Sequence, residues 1–270
     1  MAELIANARM YSVAPGASAA WKRLFGWLAE ATGTPLAIID HAFPAKLDEL
    51  WRRDDLACTF MCGWPWLRMG RGHQVIAAPI PDASWADGKA QYVSHFVVRA
   101  VSPYRRLEDT FGARFAFTID DSHSGYNAPR RHLMRYRHGD APLFGEIVGP
   151  LTTPRRVLEA INEGRADVGP QDSFAFLLME RHAPELTGGV RVIASTDPMP
   201  MPALMASRTA DRGMVEALRE ALCGLARQPG QAALLADLCI TGFEPLDPAA
   251  YDLSERWAQE AERGGYRRIA

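Results

Sequence analysis

Residues 121–127 read Asp121-Ser122-His123-Ser124-Gly125-Tyr126-Asn127, and their types and order suit the capture of a small anion. The segment follows an apolar stretch expected as a strand and precedes one expected as a helix. A helix N-terminus leaves backbone N–H groups without partners and carries roughly half a positive charge, so it attracts anions. Ser122 and Ser124 would add hydroxyl donors, and Gly125 would let a ligand approach the main chain closely. The same residues also make an ordinary N-cap with a tight turn, because serine and aspartate are favoured there.

Other stretches compete for chemistry. Cys62-Gly63-Trp64-Pro65-Trp66 follows a strand and is expected as a loop at a sheet's carboxyl edge, where α/β proteins hold ligands. Trp64 and Trp66 serve there either as cleft lining or as core and rim packing. A nucleophilic Cys62 would need a base or a cationic neighbour. His73, His95 and His123 are the candidates, and no spacing pairs one of them with it. Asp172 ends the run Asp167-Val168-Gly169-Pro170-Gln171-Asp172 and precedes Ser173, at a strand end before a helix. It reads as that helix's cap, or as an acceptor for a ligand's cationic or hydroxyl group. Tyr11, Tyr92 and Ser94 are further polar residues at expected strand ends. Arg130, Arg131, His132, Arg135, Arg137 and His138 share the helix after the serine turn. They read as a solvated face whose later cations oppose the C-terminal dipole, in preference to a phosphate patch. The chain has no GxGxxG, GxxxxGK[ST], HExxH, GxSxG or EF-hand loop, so the common nucleotide, zinc-protease and serine-hydrolase routes lack support.

The elements that must hold these residues alternate. Leu4 to Ser12 is expected as a strand, and 16–31 as an amphipathic helix whose Trp21, Leu24, Phe25 and Leu28 share one face. Strands near 34–40, 55–61, 73–79, 92–100, 113–119, 144–148, 166–169 and 190–195 alternate with helices near 45–53, 104–111, 154–163 and 173–182. Asp197 to Pro202 holds three prolines and is neither regular helix nor central strand. From 211 onward the chain is expected to be mainly helical. The alternation implies an α/β protein with a largely parallel sheet. The stretches 92–100 and 190–198 each look like a strand leaving one lobe for another. Residues 1–96 with 198–270 would then form one lobe and 97–197 an inserted second, a layout suited to hinge closure about a ligand cleft.

Composition narrows the classes. A chain of 270 residues, 48% hydrophobic and 23% charged, buries enough surface to fold without a metal or disulfide staple. A net charge of −2 argues against a nucleic-acid partner, and no apolar run reaches transmembrane length, which argues against direct membrane insertion. Cys58, Cys62, Cys223 and Cys239 form no CxxC pair, so free thiols are expected and no metal or other cofactor. The first residues lack a basic head followed by an apolar run, so no export leader is visible and the start as shown implies the cytoplasm.

The order of motifs resembles the phosphate/phosphite/phosphonate substrate-binding family, type 2 periplasmic binding proteins that serve ABC importers. The resemblance rests on Ala8-Arg9-Met10-Tyr11, Cys62-Gly63-Trp64-Pro65, Tyr92 to Arg99, Leu107-Glu108-Asp109 and Gly112-Ala113-Arg114. It continues through Ser122 to Tyr126, Val157 to Ile161, Gly164 to Asp167, Gln171-Asp172-Ser173 and Ser195 to Pro200. It implies two α/β lobes joined by two crossing strands, a periplasmic location, a small anionic ligand, an ABC permease as partner, and a monomer or weak dimer. It gives the anion to Ser122, Ser124 and Gly125 with Ser94 as helper, and turns Tyr11, Trp64, Tyr126 and Asp172 toward the ligand. Three departures stand out. Many members carry a histidine before the helix at 154–163, where this chain reads Val148-Gly149-Pro150-Leu151-Thr152-Thr153. Trp64 replaces a smaller aromatic, and the leader is missing. The competing reading is a cytosolic biosynthetic enzyme on the same scaffold, acting on a small carboxylate or pyrimidine precursor.

Overall fold

The computed structural model describes residues 4–139 and 141–270. They fold as two compact units, one running up to Gln91 and resuming over Pro200–Ala250, the other made of Tyr92–Met199 and Tyr251–Ala270. The chain passes between units three times, and the two-residue strands β5 (Gln91–Tyr92) and β11 (Met199–Pro200) lie at two of the passages. The sequence reading had two passages, near 96 and 198, with the whole tail in the first unit. The third passage arises because the tail's apolar residues are buried in the second unit.

The first unit contains β1 (Leu4–Asn7), α1 (Pro15–Thr32), β2 (Leu36–Ile38), α2 (Leu47–Trp51), β3 (Leu56–Met61), α3 (Gly63–Arg68) and β4 (Gln74–Pro81). Its second segment adds β12 (Ala203–Ala206), α8 (Arg212–Gly224), α9 (Ala232–Asp237) and β13 (Ile240–Glu244). The sheet order is β13-β4-β12-β3-β1-β2. Proline at the first helical position and Gly33 at φ 65° bound α1, because proline needs no N–H there and glycine tolerates the left-handed cap. Trp21, Leu24, Phe25 and Leu28 are all buried on its inner face, as their spacing requires. Trp21 meets Phe60 edge-on at 4.8 Å.

In the second unit, β6 (Ser94–Arg99), β7 (Arg114–Ala116), α4 (Ala128–Leu133), β8 (Glu146–Val148) and α5 (Pro154–Asn162) come first. Then follow β9 (Val168–Asp172), α6 (Ser173–His182), α7 (Pro184–Thr187), β10 (Val190–Ser195) and, from the tail, α10 (Asp252–Arg263). The sheet order is β10-β6-β9-β7-β8. Phe96, Phe115, Phe117, Leu133, Val168 and the tail residues Tyr266 and Ile269 share one core.

Both sheets are mixed where a largely parallel one was expected. β12 runs antiparallel to β3 and β4, and β6 antiparallel to β9 and β10. Both strands enter their sheets at a passage between units instead of through a crossover helix, which frees them from the parallel rule. Two strands, β12 and β13, fall in a region read as helical or loop. β12 is four buried residues with no alternation to betray it, and Gly242 interrupts β13. The expected loop at Cys62–Pro65 is instead the start of α3, because a proline in the first helical turn forfeits no hydrogen bond.

Candidate functional site

Antiparallel pairing of β6 and β9 sets Ser94 directly opposite Asp172. Asp172 caps α6, its Oδ1 accepting from the Phe174 and Ala175 N–H groups at 3.0 and 2.9 Å. Its Oδ2 accepts from the Ser124 hydroxyl at 3.1 Å. The Ser94 hydroxyl donates to the Ser124 carbonyl at 2.7 Å, and the Thr196 hydroxyl accepts from the Ser94 N–H at 2.9 Å. Ser122 caps the next turn, its Oγ accepting from the Gly125 N–H at 2.9 Å. Residues 123–127 wind as one π turn, which leads into α4. The Asn127 N–H accordingly donates to the Ser122 carbonyl.

Five of the eight residues chosen from sequence are thus brought together: Ser94, Ser122, Ser124, Gly125 and Asp172. Tyr126 shares the turn but packs on Phe117 at 5.2 Å, and its hydroxyl accepts from the Ile269 N–H. This tyrosine serves the unit's core because the tail supplies both an apolar wall and a hydrogen-bond partner for it. Tyr11 and Trp64 belong to the first unit. Tyr11 is buried edge-on to Phe60 at 4.9 Å, and Trp64 is half-buried under the Arg68 guanidinium at 6.0 Å.

Thr118 escaped the sequence reading altogether. It is 3% exposed, and its Oγ1 has no hydrogen-bond partner among the described residues. A Cβ built on Gly125 would overlap that oxygen and lie 2.9 Å from both Ser122 Oγ and Thr118 Cβ. Glycine at 125 therefore lets the Thr118 and Ser122 hydroxyls close directly on the main chain of the turn. The hydroxyl protons divide cleanly. Those of Ser94 and Ser124 are committed to the Ser124 carbonyl and Asp172, whereas those of Ser122 and Thr118 are donated to no described residue.

His123, between the two serines, faces inward. Its Nδ1 accepts from the Asn127 amide at 3.1 Å, its Nε2 bonds the Ser254 hydroxyl at 3.2 Å, and its ring stacks on Trp257 at 5.6 Å. Burial lowers its pKa to about 3. Burial also lowers His95 and His132 to about 4. The basic stretch after the turn is a solvated face only in part: Arg135 and His138 are exposed, but the others are drawn inward. Arg130 and His132 are buried, Arg130 bonds the Ala258 and Arg267 carbonyls, and Arg131 pairs with Glu260 and Asp197. The tail supplies most of these partners, and they lie more than a hundred residues away, beyond the reach of any local pattern.

These histidines fold neutral but ionise in the unfolded chain near pH 6.5, so the unfolded state binds more protons below that value. Their contribution is fully present above pH 6.5 and is lost as pH falls toward 4 and 3. Each should cost roughly 2 kcal/mol by pH 5. Urea melts at pH 7 and pH 5 should differ by several kcal/mol, and His123→Gln should remove part of that difference. A flat profile would refute it.

A model of the family described as ABC transporter, phosphonate, periplasmic substrate-binding protein matches residues 14–251. The chain belongs to this family of periplasmic substrate-binding proteins. No curated protein sequence matches the chain. Among solved structures it is similar to a binding protein component of an ABC phosphonate transporter from Pseudomonas aeruginosa, 16% identical, with a TM-score of 0.81 over 97% of this chain and 88% of that one. PhnD1 from Prochlorococcus marinus, in complex with methylphosphonate, is 15% identical with a TM-score of 0.78 over 96% and 98%. The aliphatic sulphonate binding protein SsuA from Escherichia coli is 14% identical with a TM-score of 0.59 over 99% and 91%. These likenesses establish the type 2 periplasmic binding protein fold. The family is one of substrate-binding proteins, so the biosynthetic-enzyme alternative receives no support from it. No helix among the described residues is long and apolar enough to cross a membrane.

Proposed function

We propose that this protein binds a small tetrahedral oxyanion of the phosphonate class on the serine turn of its second unit and hands it to an ABC permease in the periplasm. The carrying observation is Thr118, a buried hydroxyl without a partner among the described residues, beside the glycine of a helix N-terminus. Leaving such a group unsatisfied costs about 1–3 kcal/mol, which a ligand oxygen would recover. Ser122 offers a second free hydroxyl proton, its Oγ close to the same face of Gly125 as Thr118. The dipole of the turn favours the negative charge. The histidine missing before α5 is consistent with recognition by hydroxyls and main chain. Prolyl Pro154 opens that helix, and the Thr153 hydroxyl is occupied by the Arg156 N–H.

A thermal-shift and calorimetric panel tests this, with methylphosphonate, phosphite, phosphate, methanesulfonate, malate and adipate. Methylphosphonate at a hundred times its dissociation constant should stabilise by about 2.7 kcal/mol, a rise of roughly 5–10 °C. Thr118→Val and Ser122→Ala should each weaken binding by about 10- to 150-fold, the worth of a hydrogen bond to a charged group. A response to the dicarboxylates alone, or unchanged affinity in both variants, would overturn the site.

A further inference from the structure

The division of hydroxyl protons at the turn has a consequence for ligand choice. Ser124 Oγ carries one proton and donates it to Asp172 Oδ2 at 3.1 Å. Asp172 is held in place by two main-chain N–H groups of α6, and Ser124 is held by the Ser94 hydroxyl on its carbonyl. A hydroxyl whose proton is committed in this way can offer a ligand only lone pairs. Ser122 and Thr118 show the opposite character, with protons to give. The turn therefore offers donors from Ser122 and Thr118 and an acceptor from Ser124.

We infer that Ser124, backed by Asp172, receives a hydrogen bond from the ligand, so that the site takes a tetrahedral oxyanion still carrying one acidic proton and rejects one carrying none. This rests on the anion site proposed above and adds the protonation state to it. An alkylphosphonate monoanion matches, with two oxygens to accept from Ser122, Thr118 and the main chain, and one P–OH to donate to Ser124. A sulfonate has three acceptor oxygens and no proton. One of those oxygens would face the Ser124 lone pairs unsatisfied.

The buried histidines near the turn stay uncharged near neutrality. His95 on β6 and His123 on the turn are held neutral by burial, at about 4 and about 3. On α4, Arg130 is bound to tail carbonyls, Arg131 to Glu260 and Asp197, and His132 is lowered to about 4. Glu180, Arg181 and His182 stand at the far end of the helix that Asp172 caps. These three histidines therefore add no pH dependence above pH 6, where the second ionisation of the ligand is read.

Calorimetry with methylphosphonate and methanesulfonate between about pH 6 and pH 8.5 decides the point. Methanesulfonate should bind at least about tenfold more weakly, the worth of one unsatisfied buried acceptor. Methylphosphonate affinity should fall by up to about tenfold per pH unit above its second ionisation. Asp172→Asn keeps the oxygen that caps α6 but turns an amide donor toward Ser124, releasing the Ser124 proton to the ligand. That variant should lose the pH slope and move methanesulfonate at least about tenfold closer to methylphosphonate. If Asp172→Asn does not fold, Ser124→Ala serves, since removing the acceptor should also erase both the discrimination and the slope. Equal affinity for the two anions, or methylphosphonate affinity that holds or rises to pH 8.5, overturns the inference while leaving the anion site standing. Failure of both anions to bind overturns the site itself and the inference with it.

Discussion

Gly125→Ala should abolish measurable methylphosphonate binding and lower stability by about 1–3 kcal/mol, the usual cost of forcing a methyl group into a packed site. The added Cβ would overlap Thr118 Oγ1 and crowd Thr118 Cβ and Ser122 Oγ at 2.9 Å each. Thr118 is β-branched and 3% exposed, so it has little freedom to turn aside. The methyl group would also push aside Thr118 and Ser122, the two hydroxyls proposed to meet the ligand. Steric strain and lost recognition can be separated. In the double variant Gly125→Ala/Thr118→Ala the overlapping oxygen is gone, so stability should largely return, while binding should stay lost. Urea melts and calorimetry on the two variants measure each part. Binding within tenfold of the parent in Gly125→Ala would remove Gly125 from the site.

Removal of residues 251–270 should unfold the second unit outright. The tail buries Tyr251, Trp257, Ala258, Ala261, Tyr266 and Ile269. Trp257 stacks on His123 and lies 4.9 Å beneath the Arg131 guanidinium, while Tyr266 and Ile269 complete the core around Phe115 and Phe144. Truncating one large buried side chain costs about 3–5 kcal/mol, and whole domains are stable by only about 5–15 kcal/mol. Loss of several at once exceeds that reserve. Expected are loss of methylphosphonate binding and rapid proteolysis of the segment 92–199. The milder Trp257→Ala should cost about 3–5 kcal/mol in urea and loosen the serine turn through His123. A truncated protein that still melts cooperatively with its parent's amplitude would show that the tail is dispensable.

These two effects mark what was legible in the chain. The serine turn was legible because a strand end, a cap and a glycine are neighbours in sequence, and local capping chemistry acts over three or four residues. The buried stripe of α1 was legible for the same reason, since Trp21, Leu24, Phe25 and Leu28 recur at the period of a helix. The family followed from the order of such motifs, and the match over residues 14–251 bears it out. Thr118 was not legible, because nothing around it marks one threonine as left without a partner. Nor was the burial of Arg130 and His132, which read as a wet surface until α10 and the last residues of the chain folded over α4.

By itself, then, the amino-acid order determined the alternating elements, the position of the serine turn and the class of protein. Tertiary structure alone decided which hydroxyl protons are free, that Tyr126 faces the core, and that the last twenty residues belong to the second unit. The physical reason is range. Helical periods, caps and turns are settled by neighbours a few residues apart, whereas a hydrogen bond such as that from Asn127 to the Ser254 carbonyl joins groups 127 residues apart and exists only once the chain has folded back on itself.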